Sequence, residues 1–299
     1  MKKLLALLCL LVCAPAFAAA PAIVQQNWVN SNNTGNNISP ALTGVSSSDV
    51  LLAIVVFINS NGATGVNVPA PADSSGDTWS ATPIASAPSS GGPYSIGIEA
   101  YLLTAPTAGA HTLTFNTNGT GGGSYSFGGV IEISGYTAVD KAVASTSSTA
   151  VTSYSLSSGT LASANELAIA VMGINSTASA VTNNGITDPP TGWTSLIAYQ
   201  NGTTGFPGEG ASLTVSSTAS ITPTWSWTSV GAAAAATLIT LEGSGGGSSC
   251  THDGITSAGA LAIPDGTTGS YWSTTGNFVI PNCSSVNYWQ PTVGNSGVN

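Results

Sequence analysis

Alternating apolar and polar positions dominate the chain after its first twenty residues. The stretches SIGIEAYLL, HTLTFNT and SLTVSS, which begin at residues 95, 111 and 212, carry apolar side chains at every second position. Such alternation, with Thr and Ser on the other face, is typical of half-buried antiparallel strands. Asn-Gly pairs, which supply the positive φ angles of tight turns, lie at 61–62, 118–119, 184–185 and 201–202. Because no segment shows the apolar period of a helix, the sequence predicts an all-β fold.

Two stretches depart from alternation and are apolar at nearly every position. LLAIVVFINS occupies residues 51–60, and LAIAVMGINS occupies residues 167–176, so that both end in Ile-Asn-Ser. A short continuous apolar run is typical of a strand that is covered on both faces. We therefore expect both stretches to be central strands.

Other segments recur around these two strands. GDTWSA at 76–81 has a counterpart in TGWTSL at 191–196, and GGVIEISG at 128–135 has one in ATLITLEG at 236–243. Each set begins with a core strand, continues with a Trp-bearing strand and alternating strands, and ends with GGVIEISG or ATLITLEG, which we call the closing strand. This repeated order indicates an antiparallel β-sandwich of two duplicated halves. The halves span about 38–136 and 153–243. The alternative is chance similarity among strands of low sequence diversity.

Four tryptophans, Trp79, Trp193, Trp225 and Trp227, follow these strand patterns and are expected in the core. The run AAAAATLITL at 232–241 is too short to span a membrane. Its small side chains are expected to let the strand pack closely against Trp225 or Trp227.

The N-terminus has the pattern of a secretory signal peptide over residues 1–18. Lys2 and Lys3 precede the apolar segment Leu4–Val12, and Ala16-Phe17-Ala18 forms a small-x-small cleavage site. The apolar segment is about half the length that a transmembrane helix needs. We therefore expect an exported protein, secreted or at the cell surface, with no membrane span in the mature chain.

Charge excludes two classes of partner. Removing Lys2 and Lys3 from the count takes the formal net charge from −9 to −11 and leaves Lys141 as the one basic residue beside twelve carboxylates. Nucleic-acid binding requires Lys or Arg to neutralise phosphates, and attraction to anionic lipids has the same requirement. Neither partner is expected.

A small separate unit is predicted at the C-terminus. Residues 244–249 form a Gly/Ser linker, and residues 250–299 contain Cys250 and Cys283, an even pair that predicts one disulfide in an exported chain. The unit also carries four large rings, Tyr271, Trp272, Tyr288 and Trp289. These rings either stack on sugars or a partner protein, or form the small unit's own core.

Candidate catalytic and metal-binding residues are few. His111 opens an alternating strand and is expected to be structural, while His252 beside Asp253 is either a metal ligand or part of a capped turn. The segment DSSGD, Asp73 to Asp77, is either a Ca²⁺ loop or a turn closed by Asp side chains. Paired carboxylates could catalyse glycoside hydrolysis, but no sequence pattern places two of the seven candidates across a cleft. The candidates are Asp73, Asp77, Glu99, Glu132, Asp188, Glu209 and Glu242. We expect no catalytic site, no metal and no cofactor.

The segments GIEAYLLTAPTAGAHTLTF at 97–115 and VIEISGYTAVDKA at 130–142 resemble a recurring extracellular module of about 200 residues. Modules of this kind occur in bacterial surface and adhesin-like proteins and in some phage tail proteins. The resemblance covers roughly residues 23–243. It implies a jelly-roll-like sandwich without known catalytic residues.

The function that these features favour is non-catalytic binding or adhesion. The partner would be a glycan or a cell-surface protein, bound by the aromatic C-terminal unit. The alternative is a structural component of an extracellular or virion fibre with no soluble ligand.

Overall fold

The computed structural model describes nine segments of the first part of the chain and two short strands near its end. These are residues 20–31, 37–59, 62–91, 95–117, 126–147, 149–175, 189–199, 207–227 and 232–243, and the backbone at 280–281 and 288–289. The chain divides into two units, Met1–Gly245 and Gly246–Asn299. The division falls within the predicted Gly/Ser linker.

Every strand pairing in the described residues is antiparallel. The strands of the first unit are β1 (Ala22–Ser31), β2 (Ala41–Val45), β3 (Val50–Ile58), β4 (Ala72–Asp73), β5 (Ala85–Ala87), β6 (Ile96–Leu103), β7 (Gly109–Thr114), β8 (Ser126–Ser134), β9 (Tyr136–Thr146), β10 (Ser153–Ser155), β11 (Glu166–Asn175), β12 (Thr194–Tyr199), β13 (Gly208–Val215), β14 (Thr224–Ser226) and β15 (Ala233–Gly243). In the second unit β16 (Ile280–Pro281) pairs with β17 (Tyr288–Trp289). The predicted all-β, antiparallel class is confirmed. Within the described segments, no helix is both long and apolar enough to cross a bilayer.

Two five-stranded sheets form the centre of the first unit. The first sheet has the strand order β1-β8-β3-β6-β5, and the second has β12-β13-β11-β15-β9. Smaller sheets, β2-β7-β4 and β10-β14, accompany the first and second sheets respectively. In each five-stranded sheet the apolar central strand, β3 or β11, lies between a closing strand, β8 or β15, and an alternating strand, β6 or β13.

The two five-stranded sheets pack face to face around one apolar core. Alternate residues of β3, including Leu52 and Ile54, meet alternate residues of β11, including Ile169 and Val171. The opposite face of each sheet packs against its own small sheet, around Phe57 and Leu113 in one layer and Met172 in the other. Every residue of β3 and β11 is buried. The prediction of central strands covered on both faces is therefore confirmed.

The alanines of β15 leave room for two tryptophans. Trp225 and Trp227 are buried in the same cluster as Ala234 and Ala236. Since β15 also contributes Ala233 and Ala235 to the core between the sheets, its small side chains permit close packing on both faces. The expected packing of the Ala-rich strand is confirmed.

The two five-stranded sheets pack so that the side of one sheet that carries the closing strand faces the side of the other that carries the alternating strand. The closing strand β15 contacts β6, and the edge strand β9 contacts β5. At the other side, Gln26 of β1 donates a hydrogen bond from Nε2 to the carbonyl oxygen of Leu196 in β12, at 3.4 Å. The sheets therefore meet along two lateral seams, one between β1 and β12 and one between β5 and β9.

The Ile-Asn-Ser repeat does not mark structurally equivalent residues. Leu52 pairs with Ile131 of β8, and Ile169 pairs with Ile239 of β15. This pairing matches Leu52 with Ile169, whereas the repeated phrase would match it with Ala168. A shift of one residue turns a side chain to the other face of a sheet, and Ala168 indeed faces the outer layer.

Two further expectations are corrected. Trp79 lies between strands rather than in one, and Trp193 lies immediately before β12. Trp79 is buried as expected, but Trp193 is only partly buried against the outer core of the second sheet. In addition, β1 and β9 lie before the halves predicted from sequence, and they complete the two five-stranded sheets as edge strands.

Candidate functional site

The densest group of titratable side chains in the described residues lies where β4 meets β7. Asp73 ends β4, Asp77 follows in the turn, and His111 lies on the inward face of β7. The sequence Ser-Ser-Gly between the two acids closes the turn: the Asp73 carboxylate accepts a hydrogen bond from the Ser75 amide at 3.0 Å. Gly76 has a φ of 85°, a left-handed conformation that favours glycine. We call this group the Asp–His corner.

His111 joins three chain segments in the Asp–His corner. Its Nδ1 lies 2.9 Å from Oδ2 of Asp73, and its Nε2 lies 2.7 Å from the carbonyl oxygen of Thr107. Trp79 donates a further hydrogen bond from Nε1 to the same Asp73 oxygen at 3.1 Å. Both ring nitrogens face oxygen atoms, and only the imidazolium has two N–H donors, so this geometry favours the protonated form of His111.

The charges of the Asp–His corner support each other. Burial lowers the pKa of His111, but the hydrogen bonds to Asp73 and to the Thr107 carbonyl, together with the charges of Asp73 and Asp77, raise it above its ordinary value. Hydrogen bonds from the Thr107 hydroxyl and amide, at 2.6 and 2.7 Å, hold the pKa of Asp77 below its usual range. The Asp77 carboxylate, with its lowered pKa, lies 3.9 Å from Nδ1 of His111.

This arrangement fits a structural corner better than a reactive or metal-binding one. Asp73, Asp77 and His111 offer three ligand atoms within 4.8 Å of one another, a spacing that a cation site also shows. However, a metal ligand or general base requires a free lone pair on the imidazole, and both nitrogens of His111 lie within hydrogen-bond distance of neighbouring oxygens. The geometry is that of a turn closed by Asp side chains, the second of the two alternatives for DSSGD.

Several other carboxyl groups are buried at matching positions of the two sheets. Glu99 lies opposite Val55 in the first sheet, and Glu209 lies opposite Met172 in the second. Burial raises the pKa of Glu99 to about 7. Among the described residues, neither of its oxygens has a partner at hydrogen-bond distance, and the Ser86 hydroxyl across the ladder opposes the effect of burial.

A second pair of carboxyl groups lies near the start of the central strands. Burial, and then the charge of Glu132, raises the pKa of Asp49. Burial also raises the pKa of Glu166, whose Oε1 accepts hydrogen bonds from the amide and hydroxyl of Ser163. Asp49 directly precedes β3, and Glu166 is the first residue of β11.

A groove opens along the seam between β1 and β12. It has a volume of about 340 Å³ and is lined by Trp28, Val29, Asn30, Phe127 and Ile197. The sequence pattern does not mark Trp28 as a site residue, since it lies in the largely polar segment VQQNWVNS. A lone large ring among carboxamides on an edge strand is the signal that would have found it.

The residues proposed from sequence for binding fall almost wholly outside the described residues. Tyr271, Trp272, Cys250 and Cys283 lie outside them, as do His252 and Asp188. Tyr288 and Trp289 form β17, whose backbone pairs with Pro281 and Ile280. The ring-binding site and the disulfide remain predictions.

A scan of the chain against protein-family models finds no match, and a search among curated proteins finds no similar one.

Proposed function

We propose that the protein is an exported, non-catalytic binding or adhesion protein that recognises a glycan or a cell-surface protein through its C-terminal unit. The sandwich would act as the supporting scaffold. Tyr271, Trp272, Tyr288 and Trp289 would form the recognition surface, because aromatic rings combine a large apolar face with a polar tip.

The division of the chain into two units is the observation that carries this proposal. The chain divides between Gly245 and Gly246, and the described residues of the first unit form three apolar cores. In the C-terminal unit two of the four rings, Tyr288 and Trp289, belong to the short strand β17.

The test combines binding and stability measurements on the mature chain, residues 19–299. Trp272→Ala and Trp289→Ala are each compared with the matched Trp→Phe variant, which keeps a ring. Binding to a glycan array and to whole cells should weaken by roughly 1–3 kcal/mol for each Ala variant, about the contribution of one stacked ring, and much less for Phe. Thermal unfolding should be nearly unchanged.

Two outcomes contradict the proposal. If the rings form the core of the small unit, each Ala variant loses ~3–5 kcal/mol of folding free energy, and the unit unfolds. If the protein is a fibre component, the wild-type chain binds neither glycans nor cells and instead forms concentration-dependent oligomers in sedimentation experiments.

A further inference from the structure

The two lateral seams of the sandwich hold the same ladder positions but very different side chains. When β3 is aligned with β11 so that Leu52 matches Ile169, the ladder partners of the two sheets can be compared position by position. Trp28 and Phe127, at the β1–β12 seam, then correspond to Ala144 and Ala235, at the β5–β9 seam. On the strands at the other side of β11 and β3 the difference in size is reversed. Gly208 and Gly210 of β13 correspond to the larger Ile98 and Ala100 of β6.

Glycines make space for the large rings at the β1–β12 seam. A Cβ on Gly208 would lie 2.1 Å from the Phe127 ring, and a Cβ on Gly129 would lie 2.3 Å from the indole of Trp28. Neither distance is compatible with a side chain. The rings of Trp28 and Phe127 therefore lie directly against the backbone of Gly129 and Gly208.

Trp28 is also fixed in orientation. Its Nε1 donates a hydrogen bond to Oε1 of Gln26 at 2.8 Å. The same Gln26 side chain donates from Nε2 to the Leu196 carbonyl oxygen of β12. The indole is thus held by a side chain that bridges both edge strands, and its only N–H is already used. What the ring offers to the groove is carbon surface.

The polar and electrostatic character of the groove limits its occupant. The described residues that line the groove are uncharged. The Asn30 carboxamide, which provides donors and an acceptor, has no hydrogen-bond partner among the described residues. The chain as a whole carries a net charge of −9, which disfavours anionic ligands. A volume of about 340 Å³ lies at the small end of small-molecule sites.

We propose that the groove between β1 and β12 binds one ring of a neutral saccharide, which stacks on Trp28 and forms hydrogen bonds with Asn30. A saccharide ring has an apolar face edged by hydroxyl groups, which matches a carbon surface beside a free carboxamide. This site lies in the first unit and is independent of the C-terminal rings in the function proposed above.

The test uses the full mature chain on an array of neutral and anionic oligosaccharides, followed by calorimetric titration of the strongest neutral ligand. Trp28→Ala should weaken that binding about tenfold or more, as expected for a lost stacked ring. Asn30→Ala should weaken it by roughly threefold to tenfold. The control Val24→Ala changes an exposed residue of the same strand, outside the groove, and should leave affinity unchanged.

The outcomes separate this site from the C-terminal unit. Binding that survives both Trp28→Ala and Asn30→Ala, but is lost in the double variant Trp272→Ala and Trp289→Ala, overturns the groove and supports the C-terminal proposal. Binding that is lost only in the groove variants does the reverse. The groove proposal also fails if the wild-type chain binds no neutral saccharide at millimolar concentration, or binds anionic ones only. If Trp28→Ala unfolds on thermal melting, Asn30→Ala decides.

Discussion

His111 shows how one side chain can connect parts of a chain that has almost no cations. The ring holds the acid at the end of β4, the backbone at Thr107 and its own strand β7 together. Two acceptors in hydrogen-bonding contact make the protonated ring part of the folded structure. Deprotonation leaves one of them without a donor in a buried position, which costs free energy.

The first prediction is a pH-dependent contribution of His111 to stability. The folded-state pKa is raised above the ordinary value of 6.5, so the stabilisation is fully present below about pH 6.5 and is lost as pH rises through the folded pKa. Urea unfolding of His111→Gln should show a loss of roughly 1–3 kcal/mol at pH 6 and a smaller loss at pH 9.

The control for this prediction is His252→Gln, which removes the other histidine of the chain. It should leave the pH dependence of the first unit unchanged. Equal losses at pH 6 and pH 9 for His111→Gln would mean that the ring acts only by packing.

At the scale of strands, the sequence predicted what local pattern determines. The sequence pattern predicts the burial of β3 and β11 and the alternation along β6 and β7. The reason is that each face of a strand that packs against a neighbour carries apolar side chains. β1 and β9 escaped prediction because edge strands keep one side in solvent: β1 carries Gln25, Gln26 and Asn27. β1 and β9 form because they pair with β8 and β15, and no local pattern encodes such pairing partners.

The candidate sites were likewise predictable only where they depend on local sequence. The turn at DSSGD was visible in the sequence, but its contact with His111 joins residues 38 positions apart through the β4–β7 ladder. Likewise, the groove depends on Trp28 meeting a strand more than 160 residues later, as the hydrogen bond from Gln26 to Leu196 illustrates. The one-residue error in matching the Ile-Asn-Ser repeat arose because backbone register, rather than identical letters, sets which face a residue occupies.

The second prediction concerns the exchange of bulk across the seams. Gly208→Ile should destabilise the protein by ~1–3 kcal/mol or more, because its side chain collides with Phe127. Phe127→Ala should cost ~3–5 kcal/mol through the cavity it leaves. The double variant reproduces the Ala235 and Ile98 pairing of the other seam, so it should be more stable than the two single losses predict by roughly 0.5–3 kcal/mol.

Chemical denaturation of all four proteins in this cycle gives the coupling energy directly. As a control, Phe127→Ala combined with Val24→Ala should be additive, because Val24 is exposed on β1. Additivity in the Gly208 cycle as well would contradict the complementary fit of the seam.

For the whole molecule, buried acids set the pH at which it is most stable. Burial raises the pKa of Glu99 to about 7, and those of Asp49 and Glu166 are also raised. Such groups bind protons more tightly in the folded state, so stability falls as pH rises from their ordinary values to their raised ones. The pKa values of Asp77 and Asp140 are lowered, and these acids lose their stabilising bonds only in stronger acid.

The third prediction is therefore a stability maximum in mild acid. The melting temperature of the mature chain should rise as pH falls from 8 to about 5, and decline again near pH 3. Glu99→Gln, which cannot ionise, should flatten the change between pH 5 and 8. Ser86→Ala is a suitable control, since it removes the neighbouring hydroxyl but keeps the carboxyl group. A melting temperature that rises steadily toward pH 8 would contradict this account.

The single residue between β8 and β9 has a mechanical consequence. Ala22 pairs with Ser134 and Gly243 pairs with Tyr136, and Gly135 alone separates Ser134 from Tyr136. The chain therefore enters the sandwich at Ala22 and leaves it at Gly243 on the same end of the sheets. Tension applied between Ala22 and Gly243 would load the β1–β8 and β9–β15 ladders at their terminal pairs. Their hydrogen bonds would then break one after another, as in a zipper, rather than resist together in shear. Peeling of the two edge strands would relieve the pull before the central strands carry it.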